Sequence, residues 1–152
     1  MEKTQKPGLK QAVEALIDGS ACPADALGIP KRIVDGMYTL ATDALGRGRT
    51  KDAAALFQRC LQLDPRRTEF WLGFAAAKQA EGELEEAGEI FQLAAMFGTD
   101  SSAMAYAAAC FAEAGKHERA LILAEHVRST MTDTSALEPW LAVAESSVGG
   151  AR

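Results

Sequence analysis

The sequence predicts an all-α fold of stacked helix pairs, and three observations carry that prediction. First, the apolar share of 48% comes largely from alanine and leucine, with aromatics at only 7%. Such a composition favours helices packed closely through small side chains, and the β-branched residues are too scattered for a sheet. Second, the segments "GRTKDAA" (48–54), "GELEEAG" (82–88) and "GKHERAL" (115–121) align, so Gly48, Gly82 and Gly115 recur at intervals of 34 and 33 residues. Third, each glycine is followed five residues later by Ala53, Ala87 or Ala120. These alanines fall early in a second helix, where only a small side chain allows close approach. A chain of 152 residues suits one domain.

Both intervals match the period of tetratricopeptide repeats. The expected architecture is three tetratricopeptide helix pairs in a right-handed superhelical array, with an N-terminal helix and a C-terminal capping helix. In chain order, "LKQAVEALIDG" (9–19) is a short amphipathic helix with Leu9, Val13, Leu16 and Ile17 on one side. Two readings of that stripe stay open: a cap over the first repeat, or homodimer contacts with a second copy. The connection 20–30 has two prolines and a glycine and holds a turn or short helix.

The pairs follow at 31–46 with 50–63, 67–81 with 84–97, and 101–114 with 117–130, giving repeats over 34–67, 68–100 and 101–133. Pro65, after "LD", stops the first repeat. In the first helices Met37, Trp71 and Met104 share a bulky register position, and Ala41, Ala75 and Ala108 a small one. In the second helices Phe57, Phe91 and Ala124 align, then Cys60, Ala94 and Val127. A final helix occupies 135–146 within the segment 134–147, with Trp140 and Leu141 capping the last pair. Trp140 is open between that capping contact and a partner surface. The tail "SVGGAR" is expected to fray.

The stretch "FWLGFAAAKQ" (70–79) carries two apolar stripes, where a surface helix of a compact domain needs one. Trp71, Phe74 and Ala75 are expected to pack inward against Phe91 and Ala94. Leu72, Ala76 and Gln79 then face the concave side of the array. Their register counterparts are Tyr38, Thr42 and Leu45 in the first repeat, and Ala105, Ala109 and Ala112 in the third. This surface is small or apolar with almost no charge, the character of an interaction site.

Other function classes find little support. The net charge of −5 repels a phosphate backbone, so nucleic acid is not an expected partner. No apolar stretch reaches membrane-span length, so no stable membrane insertion is expected. Cys22, Cys60 and Cys110 lack CxxC spacing and fit a reducing, cytoplasmic setting. The first residues, "MEKTQKPGLKQ", lack the apolar core of a secretory signal. The only histidines, His117 and His126, are nine apart on one helix, and no motif joins either to a cysteine nucleophile. His117 reads as an exposed turn residue, and Cys60 and Cys110 as small buried hydrophobes. No pair has zinc-ligand spacing, and the carboxylates of 81–89 complement a helix dipole. Neither an enzyme, a metal nor a cofactor is expected. A clamp for acidic chain termini would need a basic groove, whereas Lys78 is nearly alone.

The run 28–98 resembles the class II chaperones of bacterial type III secretion, which serve the translocator proteins. The matching features are "MYTLA" (37–41), Phe57 and Cys60 in "LFQRCLQLD" (56–64), and "FWLGFAAAKQ"; "AYAAACFAEAGKHERAL" (105–121) matches more loosely. The resemblance spans roughly residues 9 to 130. It implies a cytosolic chaperone that holds an extended apolar segment of hydrophobic translocators in its groove, and dimers formed through the N-terminal helical region. Carried over by position, the pocket residues are Tyr38, Thr42, Leu45, Leu72, Ala76 and Gln79, to which the register adds Ala105 and Ala109. The family often has aromatics where Thr42 and Leu45 stand, which implies differently shaped pockets here. The alternative is a general tetratricopeptide peptide-binding scaffold or a needle-subunit co-chaperone, which takes a helical client.

Overall fold

A computed structural model describes residues 8–98 and 101–147 of the chain. The tail expected to fray lies, beyond Ser147, outside the described residues. All regular structure among the described residues is helical: α1 (Leu9–Ile17), α2 (Pro23–Ala26), α3 (Lys31–Gly46), α4 (Thr50–Leu63), α5 (Thr68–Ala80), α6 (Leu84–Phe97), α7 (Ser102–Glu113), α8 (His117–Thr130), a 3-10 turn (Ser135–Leu137) and α9 (Glu138–Ser146). Four of the six repeat helices keep the bounds their pattern predicts, and α5 and α7 are one residue shorter at each end. None is long and apolar enough to cross a membrane.

The repeat glycines explain the sharp turns. After α3, Gly48 N–H donates to Leu45 C=O at 3.0 Å and Arg49 N–H to Ala44 C=O at 2.9 Å. That pair of bonds satisfies carbonyls at the helix end and requires a left-handed residue between them. Gly48 supplies it with φ 74°, and Gly82 repeats the device after α5 with φ 84°, at no Cβ penalty. Each turn is three residues long, so consecutive helices fold back and pack along one another.

The register positions are the core. Ala41, Ala75, Ala108, Ala53, Ala87 and Ala120 are all sealed from solvent, as are Phe57, Cys60, Ala94 and Val127. The largest apolar cluster joins α5 to α9, a second lies under α2, α3 and the α4–α5 turn, and a third fills the middle of the first pair. No polar side chain is buried among the described residues.

Two elements depart from the repeat geometry. The first is α1, which packs mainly on α2 and buries only Ala12. Leu9 and Ile17 are 83% and 81% exposed, so α1 is not a cap over the first repeat. Leu40 of α3 shares the register of Phe74, which packs against the preceding pair. With no pair before it, Leu40 stays 60% exposed.

The second is α9. Of the pair before it, α5 packs chiefly on α4 and little on α3, whereas α9 packs chiefly on α7, the first helix of the pair before it, and less on α8. It lies across α7 with Leu137, Leu141 and Ala144 buried. Arg128 of α8 ties it down, donating to Glu145 at 2.6 Å and to Glu138 at 2.9 Å.

Candidate functional site

The α5 face carrying Leu72, Ala76 and Gln79 opens a surface cavity of about 280 Å³, completed by Phe91, Tyr106 and Trp140. The α-helical spacing of four and three residues brings the first trio onto one stripe. Phe91 reaches it from α6, meeting the Tyr106 ring edge-on at a centroid distance of 5.5 Å. Trp140 arrives from α9 and meets the other side of Tyr106 at 5.0 Å and 76°. Two T-shaped aromatic contacts in series build one wall of the cavity. None of its lining residues is charged.

The first repeat contributes less than its pattern suggests. Tyr38 is half-buried, its ring 5.9 Å from Phe57 and 5.4 Å from Phe70. The ring is thus wedged between α4 and α5. Leu45 is half-buried against the first-pair core. Thr42 is exposed, and its hydroxyl donates back to Tyr38 C=O at 2.7 Å. These residues do not line the cavity.

The third repeat corrects the expectation outright. Ala105 and Ala109 were placed on the open groove, yet they are 0% and 1% exposed, and Ala112 is buried with them. The reason is α9, which lies over α7 and closes that end. Small side chains that would leave a groove shallow instead let a helix dock. The sequence pattern does not mark Phe91 or Tyr106 as lining, and it leaves Trp140 open between a capping contact and a partner surface. Tyr106 shares the register of Gly73, and that change from glycine to a large ring was the one available signal.

Groups elsewhere are committed. A larger cavity of about 420 Å³ near α2 is lined by Asp25, Asp64, Glu69, Arg66 and Arg67 among others. Its two arginines are paired, Arg67 with Asp35 at 2.5 Å and Glu69 at 2.7 Å, and Arg66 with Asp64 at 3.3 Å; Lys31 also lines it. Lys78 is bound to Glu86 at 3.1 Å, so it is not free to clamp an acidic terminus. Burial pushes the Cys110 thiol up to about 11, so it is not ionised at neutral pH and is a poor nucleophile. His117 is half-buried rather than exposed, with Nδ1 enclosed and unpartnered. No three metal-ligating side chains converge among the described residues.

Comparison with known proteins agrees with this architecture. A tetratricopeptide-repeat family model matches residues 44–109. The fold is similar to that in the crystal structure of a T3SS complex from Aeromonas hydrophila, with 23% identity, a TM-score of 0.76, and 91% of this chain and 93% of that chain covered. It is similar to the Yersinia enterocolitica type III secretion chaperone SycD in complex with a peptide of the translocator YopD, with 23% identity, a TM-score of 0.67, and 82% and 98% covered. It is also similar to the Sgt2 tetratricopeptide domain of Aspergillus fumigatus, at 20% identity, a TM-score of 0.67, and 80% and 83% covered.

Proposed function

We propose that this chain is a cytoplasmic, non-enzymatic chaperone that holds an extended apolar segment of a type III secretion translocator on the inner face of its repeats. The observation that carries the reading is the uncharged cavity built on Leu72, Ala76 and Gln79, the stripe that the family resemblance marks for client contact. The similarity to SycD, solved with a translocator peptide, supports it over 82% of this chain. Sgt2 shares the fold to the same degree, so the choice of client rests on the cavity and not on the backbone.

A translocator destined for a membrane carries apolar segments that aggregate in water. Burying one such side chain gains about 1.5–3 kcal/mol, from which ordering costs are subtracted. A cavity of this size gives reversible binding, as a client that must later be released requires. The test is affinity capture of the full chain from its own bacterium with mass spectrometry. A translocator should dominate the recovered protein and be lost with Leu72→Glu. Recovery of a needle subunit instead, or of translocator unaffected by Leu72→Glu, overturns the reading.

A further inference from the structure

The repeats build only part of the cavity, and the remaining wall comes from outside them. α9 is anchored by Leu141 and Ala144, with Leu137 of the 3-10 turn just before it, all buried. Trp140 is not among these anchors: it remains 37% exposed and meets the Tyr106 ring nearly at a right angle. Its indole N–H, the Tyr106 hydroxyl and the Gln79 amide make no hydrogen bond within the described residues. The surface these residues present to the cavity is almost wholly apolar, which suits an aliphatic side chain.

The geometry also selects the conformation of what enters. A helical client satisfies its own backbone and needs a trough about 10–12 Å wide, but α9 already lies across α7 and closes that end. An extended segment fits better. Its side chains project singly from the backbone, so one of them can enter the box while the chain runs past it. A leucine- or methionine-sized side chain fits inside the box, and no lining charge meets a charged one.

We infer that Trp140 is a client-contacting, specificity-determining residue: with Tyr106 it closes the Leu72–Ala76–Gln79 pocket around one aliphatic side chain of an extended client segment. Arg128 is a positioning residue, since its bonds to Glu138 and Glu145 hold α9 where Trp140 reaches the pocket. This deepens the chaperone reading, on which it rests for the identity of the client.

The test uses the full chain and isoamyl alcohol, which carries the isobutyl group of leucine, followed by heteronuclear NMR. The two tryptophans are assigned with Trp71→Phe. The Trp140 indole and Leu72 methyl signals should shift together and saturate. Isovalerate, the same skeleton ending in a carboxylate, should bind roughly tenfold more weakly because its charge is desolvated without a partner. Trp140→Ala should weaken the alcohol roughly fivefold through lost apolar contact, and Trp140→Phe should retain most binding. Arg128→Ala should weaken it too, with partial rescue by Arg128→Lys. Circular dichroism checks that each variant keeps its helicity, and Trp140→Gln, which also removes the ring and should weaken binding likewise, serves if Trp140→Ala does not fold. Leu72 signals that move without Trp140, Trp140→Ala titrating like the parent, or no saturable shift each overturn the inference. Because no translocator takes part, this result stands or falls separately from the capture experiment.

Discussion

The ring of Phe57 on α4 lies directly against Gly73 of α5, where a β-carbon would collide with three ring atoms. Phe57 is itself sealed from solvent, so it cannot swing away. The neighbouring register shows the same economy of space: a β-carbon on Gly88 would stand 2.9 Å from the ring of Phe111. Glycine at these helical sites admits an aromatic ring from the adjacent helix.

Gly73→Ala should therefore destabilise the fold by about 1–3 kcal/mol through overpacking, despite the better helix propensity of alanine. Gly36 in α3 is the control, because a β-carbon there meets nothing within 4 Å. Gly36→Ala should stabilise by up to about 1 kcal/mol. Urea unfolding followed by circular dichroism measures both. Equal effects at the two sites would show that Phe57 yields.

Tyr38 and Leu72 share a register position but should respond differently. Tyr38→Ala removes a ring packed on Phe57 and Phe70 and should cost roughly 2–3 kcal/mol of stability. Leu72→Glu leaves most of the core in place and puts a charge in the cavity, so client co-purification should fail while helicity persists. Thermal melts of both variants beside a client pull-down separate the two roles.

The Arg128 clamp predicts a pH dependence. Its guanidinium holds the Glu138 carboxyl below the ordinary glutamate range, and the Thr134 hydroxyl adds to this. A depressed folded value means the contribution is complete at neutral pH. It begins to fade as pH falls past the unfolded value near about 4.3 and is lost through the lower folded one. The acid limb of Trp140 fluorescence, read in Trp71→Phe, should flatten in Glu138→Gln. Because these groups are exposed, added salt should weaken the clamp as well.

The apolar stripe of α1 should govern self-association. Leu9, Val13, Leu16 and Ile17 are exposed and contribute nothing to the three core clusters. Leu9→Glu with Ile17→Glu should convert a dimer to a monomer in sedimentation velocity without changing the melting temperature by more than about 2 °C. A parent that sediments as a monomer, or a variant that stays dimeric, removes α1 from the interface.

The helical class, the pairing of helices and most helix ends were legible in the chain, because they depend on local rules. A glycine every 33 or 34 residues sets the turns, and an alanine five residues on sets the close approach. The stripe Leu72, Ala76, Gln79 was legible for the same reason, since a helix of known register projects those side chains together. The seat of α9 was not. Ala105 and Ala109 look like groove floor in the repeat register, and their burial follows only from Leu137 and Leu141 docking on α7. Periodicity predicts which face of a helix is apolar. Which apolar face meets which is decided by packing between elements distant in the chain, and so Trp140 became a wall of the pocket and the third repeat its closed end.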